Sequence, residues 1–174
     1  MKQELTNIAT LHNLLDHEAS KFSSAEVQLN NVLPQWISKA NSVKLKTVLQ
    51  KYRDDIGEHL YNLEEFVDAE QLISLSLTNR IMSAYIEDTN EKLLLCADAE
   101  VTDACLLASV QMINHFKISA YGTAAAFANT LGMDKAANFF HQAEVHEKQI
   151  DDRLTQLAQY EINFRAKSPI VLPG

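Results

Sequence analysis

One long apolar segment decides the fold, and it covers residues 111–133, which read QMINHFKISAYGTAAAFANTLGM. Small and apolar side chains occupy this segment on every face, which is typical of a helix buried inside a helical protein. Between Ala104 and Met133, Lys117 carries the only formal charge. A buried ammonium without a counter-charge is costly, so other helices must supply carboxylates around it. The alternative is a lysine stem that carries the ammonium out to water.

The composition is that of an all-α protein. Only four Gly and three Pro occur in 174 residues, whereas strong helix formers are plentiful. The net charge of -8 and a pI near 5.2 argue against nucleic acid and anionic membranes as partners. The amino terminus has no apolar stretch of signal-peptide type, and residues 104–133 are too polar for a lipid-facing span. We therefore expect a cytoplasmic protein without a membrane segment.

Hydrophobic periodicity predicts two long helices in the first half of the chain. The first runs from about residue 5 to residue 40, and Pro34 should kink it or begin a short second piece. Asn41 or Ser42 is the predicted N-cap of the second helix, which covers residues 43–70.

The sequence pattern in the second half of the chain predicts a long connection and two more long helices. Residues 71–97 have a mixed pattern that indicates one or two shorter helices. Asp98 or Thr102 then caps the third long helix, which ends before Gly132, and residues 134–160 form the fourth.

Four long helices with one helical crossover between the second and the third are the ferritin-like form of the four-helix bundle. We therefore predict an all-α fold with a ferritin-like bundle over residues 1–160. The remaining residues, 161–174, are expected to form an extended C-terminal tail.

Counting outward from the predicted turns places four charged residues at one height. Lys117 lies 15 residues before Gly132, and Glu147 lies 15 residues after it. In the first hairpin, Glu26 lies 15 residues before the turn at residue 41 and Asp55 lies 14 after it. Equal offsets reach equal heights in an antiparallel hairpin, here roughly 22 Å from the turn. One charged residue from each helix can therefore occupy a single layer.

Helical spacing brings further polar groups to this layer: Asn114 beside Lys117, Glu58 or His59 beside Asp55, and Glu144 or Asp151 beside Glu147. Carboxylates that project inward from four helices build the di-metal centres of such bundles, and they suit iron or manganese. Each acid taken alone has a simpler interpretation, which is a solvated helix face. We expect His59, His141 and His146 at the surface, with His59 the best candidate ligand of the three. The Tyr and Phe residues are most simply core.

Three segments resemble the ferritin-like YciE/YciF family of bacterial stress-associated proteins. They are SSAEVQLNNVLPQ (23–35), VTDACLLASVQMINHFKISAYGT (101–123) and HEKQIDDRLTQLA (146–158), and the resemblance covers roughly residues 10–160. It implies a homodimer of ferritin-like domains with a potential di-metal site. Matched residue by residue, the family's acids correspond to Glu26, Asp55, Glu147 and Asp151. His59 stands at a position that the family often fills with Gln or His.

The third helix departs from the pattern of that family. Where relatives carry Glu in the motif VEHYE, this chain has Asn114 and Lys117. An ammonium repels a cation, so we hypothesise that Lys117 takes the place of a metal and neutralises Glu26, Asp55 and Glu147.

Three functions follow from these observations. The first is a degenerate ferritin-like protein without bound metal, which serves as a structural or interaction module in a stress response. The second is an iron- or manganese-binding protein with possible oxidase or peroxide-consuming chemistry, whose ligands would come from Glu26, Asp55, His59, Glu144, Glu147 and Asp151. The third is a helical scaffold whose outer faces bind a partner. No nucleophile–base pair or phosphate-binding glycine loop is present, so the sequence assigns no enzyme class.

Overall fold

The computed structural model of the protein describes residues 7–72 and 78–167. Its helices are α1 (Leu11–Lys39), α2 (Val43–Ala69), α3 (Arg80–Leu95), α4 (Ala99–Thr130) and α5 (Asp134–Leu157), followed by a π-helical turn (Ala158–Ile162) and α6 (Asn163–Arg165). Within the described ranges there is no strand, which confirms the predicted all-α fold. The last helix was expected to end near residue 160, but helical backbone continues to Arg165. The expected tail from residue 168 onward lies outside the described residues.

The four long helices close into a ring of neighbours. Helix α1 packs against α2 and α4, and α5 packs against α2 and α4. The crossover helix α3 lies outside this ring against α1 and α4. The interior contains fully buried apolar side chains from all four long helices, including Leu29, Leu49, Ile113 and Leu154. This is the predicted bundle with a helical crossover.

Side-chain caps fix the starts of α1, α2, α3 and α4. The Ser42 side chain caps α2 and the Asp98 side chain caps α4, each at one of the two positions predicted for that cap. The start predicted near residue 5 is wrong for residues 7–10, which are not helical. Thr10 accepts a hydrogen bond from the backbone N–H of Asn13 and starts α1 there. The helix then continues through Pro34 instead of restarting.

The α4–α5 turn requires Gly132, as predicted. Its φ of 67° lies in the left-handed region, which glycine adopts without steric cost. The N–H of Gly132 donates to Asn129 O, and the N–H of Met133 donates to Ala128 O. These two bonds form a Schellman motif, which satisfies carbonyls at the end of α4. The motif fixes the turn of the α4–α5 hairpin, and Lys117 lies near the middle of α4.

A buried aspartate joins the other hairpin to α4. Asp103 accepts hydrogen bonds from the backbone N–H of Asn41 at 2.7 Å and of Ser42 at 2.8 Å. Both donors belong to the short α1–α2 connection, and the carboxylate is 6% exposed. Asp103 therefore holds the first hairpin against the first turns of α4.

Asp103→Ala is expected to lower the free energy of unfolding by about 1–3 kcal/mol, because two backbone N–H groups lose their acceptor. Urea unfolding measures the change. The matched control is Asp152→Ala on the exposed face of α5, for which we expect less than about 0.5 kcal/mol. Equal effects of the two substitutions would contradict the joining role of Asp103.

None of the helices in residues 7–72 and 78–167 has the combination of length and apolar character needed to cross a membrane.

Candidate functional site

The Lys117 side chain points into the centre of the bundle. Its Nζ lies 3.1 Å from Oε2 of Glu26 on α1 and 2.5 Å from Oε1 of Glu147 on α5. All three side chains are 0% exposed, so the ammonium does not reach water. The structure thus pairs Lys117 with two of the three carboxylates proposed from the sequence.

Two tyrosines and an asparagine donate hydrogen bonds to the carboxylates. The Tyr121 hydroxyl donates to Glu26 at 2.6 Å, and the Tyr52 hydroxyl donates to Glu147 at 2.9 Å. The Asn114 amide donates to the same Glu147 oxygen at 2.7 Å. The ring of Tyr52 also faces the ammonium, with Nζ 4.4 Å from the ring centroid, a favourable cation–π distance.

His59 lies between the two carboxylates, contrary to the expectation of a surface position. The side chain is 1% exposed, and its Nδ1 is 3.6 Å from one oxygen of Glu26 and 3.6 Å from one oxygen of Glu147. Its other ring nitrogen hydrogen-bonds Nδ1 of His146 at 3.2 Å, and the two rings stack. His146 is half-buried, so this imidazole pair leads from the central cluster toward the edge of the bundle.

The other sequence candidates make their polar contacts outside this cluster. Asp55 pairs with Lys51 of its own helix. Glu144 pairs with Lys148 and His141. Asp151 accepts a hydrogen bond from Gln111 and contacts His115. Of the six proposed ligands, the potential donor atoms of Glu26, His59 and Glu147 lie within 4.8 Å of one another.

Burial and charge set the protonation of the cluster. Burial alone would raise the pKa of Glu26, but the Lys117 ammonium, together with His59 and Tyr121, holds it below its ordinary value. Burial raises the pKa of Glu147; Lys117 opposes this rise and the Glu26 carboxylate adds to it. One ammonium compensates one carboxylate, so the second carboxylate retains a greater affinity for a proton.

The residues at the centre do not fit a di-metal site. Such a site needs carboxylates from each helix around an open centre. Here α4 contributes Asn114 and the Lys117 ammonium, which occupies the position between the two carboxylates and repels a cation. Glu26, His59 and Glu147 therefore surround the Lys117 ammonium, and a metal ion could bind them only by displacing it.

A second group with metal-ligand chemistry lies at the open end of the α1–α2 hairpin, and sequence reasoning missed it. His12, Asp16 and Glu70 come together there, with His12 Nε2 2.8 Å from Glu70 Oε2. His12 is about half-exposed, and the His12–Glu70 contact joins the first turn of α1 to the end of α2. The spacing of His12 and Asp16, one helical turn apart, was the available signal.

Comparison with known proteins places the chain in a family. A family model described as a domain of unknown function (DUF892) matches residues 10–167. The chain belongs to this family. It is 29% identical over 163 residues to protein YciF of Escherichia coli K12, with coverage of 93% of this chain and 98% of that protein.

Two solved structures have the same fold. The crystal structure of the E. coli stress protein YciF matches with a TM-score of 0.82 and 28% identity over 90% of this chain and 99% of that chain. YcfI of Rhodopseudomonas palustris, described as a proposed structural protein, matches with a TM-score of 0.81 and 25% identity over 87% and 96% of the two chains. The resemblance drawn from the three sequence segments is thereby confirmed.

The two buried phenols give the site a measurable pH dependence. Burial raises the pKa of Tyr52 and of Tyr121 well above the ordinary value of 10.0, and the adjacent carboxylates add to the rise. In the unfolded chain both phenols lose their protons near pH 10.0, whereas in the fold they hold them to higher pH. Their contribution to stability is therefore complete below pH 10.0 and is lost as the pH rises.

The free energy of unfolding is expected to fall as the pH rises above about 10. The double variant Tyr52→Phe with Tyr121→Phe should show a smaller slope, because it lacks the two shifted phenols. Urea unfolding at successive pH values measures the slope. Tyr61→Phe is the control, since Tyr61 is 63% exposed. A double variant with the wild-type slope would contradict this assignment.

Proposed function

We propose that the protein is a metal-free ferritin-like structural module of a stress response, in which Lys117 replaces the metal at the centre of the bundle. The observation that carries this proposal is the fully buried ammonium, 3.1 and 2.5 Å from the carboxylates of Glu26 and Glu147. The description of E. coli YciF as a stress protein and of YcfI as a proposed structural protein supports the same role for this chain.

The competing function, an iron- or manganese-binding protein, is less compatible with the arrangement of charges. A divalent cation would have to displace the Lys117 ammonium and would then meet Asn114 where a carboxylate ligand is needed. Redox chemistry would also require open coordination positions. In this cluster, phenol and amide hydrogen bonds already occupy carboxylate oxygens of Glu26 and Glu147.

Elemental analysis after expression with added iron and manganese tests the proposal. The wild-type protein is expected to hold far less than one metal ion per chain. Lys117→Glu combined with Asn114→Glu should increase metal content, because it removes the repelling charge and adds two carboxylates at the centre. The control, Lys46→Glu with Asn138→Glu, makes the same charge change at exposed positions. Stoichiometric iron or manganese in the wild-type protein would refute the metal-free role.

Lys117→Met is expected to lower the free energy of unfolding by about 3–5 kcal/mol, because it leaves two buried carboxylates without a counter-charge. Denaturant unfolding measures the loss, with Lys46→Met at an exposed position of α2 as the control.

Adding Glu26→Gln and Glu147→Gln to Lys117→Met should recover much of that stability, because no uncompensated buried charge then remains. A single Lys117→Met variant as stable as the wild type would show that the ammonium does not stabilise the bundle.

A further inference from the structure

Two cysteines meet at the junction of α3 and α4. Cys96 is the C-cap residue that follows α3, and Cys105 lies in the second turn of α4. Both thiols are free and half-buried. Asp98 holds the short connection between the helices in place, because its side chain accepts a hydrogen bond from the backbone N–H of Val101 at 2.8 Å. The two cysteines are therefore attached to elements with a fixed relative position.

The geometry brings their sulfur atoms toward one another. Sγ of Cys96 lies 3.8 Å from the backbone oxygen of Val101 and 3.3 Å from that of Lys92. Val101 is one helical turn before Cys105 on the same face of α4. Side chains on a helix lean toward its N-terminus and cover the preceding turn. The Cys105 side chain therefore extends over the turn that the Cys96 sulfur contacts.

The electrostatic surroundings agree with this placement. Burial raises the pKa of the Cys105 thiol, and the neighbouring Cys96 thiol raises it further, while Lys92 opposes the change. A raised pKa reduces the thiolate fraction of Cys105 and therefore its reactivity toward a peroxide.

We propose that Cys96 and Cys105 form a reversible intramolecular disulfide when the protein meets a hydroperoxide. The Cys96 sulfur attacks the peroxide oxygen, the O–O bond breaks, and Cys96 becomes a sulfenic acid. Cys105 then attacks that sulfur, the S–O bond breaks, and water leaves. With hydrogen peroxide, two thiols lose two electrons and two protons, and two water molecules form. The product joins the end of the crossover helix α3 to the first turns of α4.

This modification is separate from the central Lys117 cluster and does not depend on the metal-free role. It would restrain the short chain between the two helices in the unfolded state. The oxidised protein should therefore resist unfolding more strongly than the reduced protein.

Titration of the purified full chain with hydrogen peroxide, followed by alkylation of remaining thiols and peptide mass spectrometry, tests the proposal. Both thiols should disappear together in the monomer, the linked peptide should be lighter by two hydrogen atoms, and dithiothreitol should restore both. The melting temperature of the oxidised form should be about 5 °C higher. Failure to lose the thiols, disulfides formed only between chains, or irreversible oxidation of either cysteine would overturn the proposal.

Cys96→Ser and Cys105→Ser are the matched variants. Each removes one sulfur, so neither can gain thermal stability on oxidation. In Cys105→Ser, Cys96 should accumulate as a sulfenic acid that a dimedone probe captures. A melting-temperature rise in either serine variant equal to that of the wild type would show that the disulfide is not its cause.

Discussion

The structure depends on one buried positive charge and the two carboxylates that enclose it. Lys117 on α4 contacts Glu26 on α1 and Glu147 on α5, and none of the three is exposed. Removing Lys117 would leave both carboxylates without a counter-charge in a medium of low dielectric constant. This requirement fixes the relative height of three helices more strictly than apolar packing can, because apolar contacts are not directional. The tyrosines then act as hydrogen-bond donors to those carboxylates.

Sequence reasoning located the ends marked by Gly132, Ser42 and Asp98, and the heights of residues in a hairpin, because local signals determine them. Gly132, Ser42 and Asp98 act through hydrogen bonds within a few residues, and a single chain contains that information. Height in a hairpin follows from counting residues from the turn. The same reasoning placed Lys117 and Glu147 opposite each other across the α4–α5 hairpin, in agreement with their contact.

Direction around the helix axis is the part that counting could not supply. Asp55 has the expected height, but successive residues on a helix rotate by about 100°, and α2 presents Tyr52 and His59 to the centre instead. Those two residues are seven apart, or nearly two full turns, so they share a face. The sequence interpretation also treated the tyrosines as core only. Tyr52 and Tyr121 are core residues whose hydroxyl groups have a second role, which depends on carboxylates from distant parts of the chain.

A covalently attached ammonium differs from a metal ion in how the bundle acquires it. A metal must be captured from solution after the ligands have assembled, so stability of the loaded fold depends on metal supply. The Lys117 charge arrives with α4 as the helices pack, and its local concentration is fixed by the chain. One positive charge cannot balance two carboxylates, however. Burial and the Glu26 carboxylate raise the pKa of Glu147, and phenol and amide hydrogen bonds to both carboxylates reduce the cost of burying them. Under the proposed metal-free role, the fold is therefore complete without a captured ion.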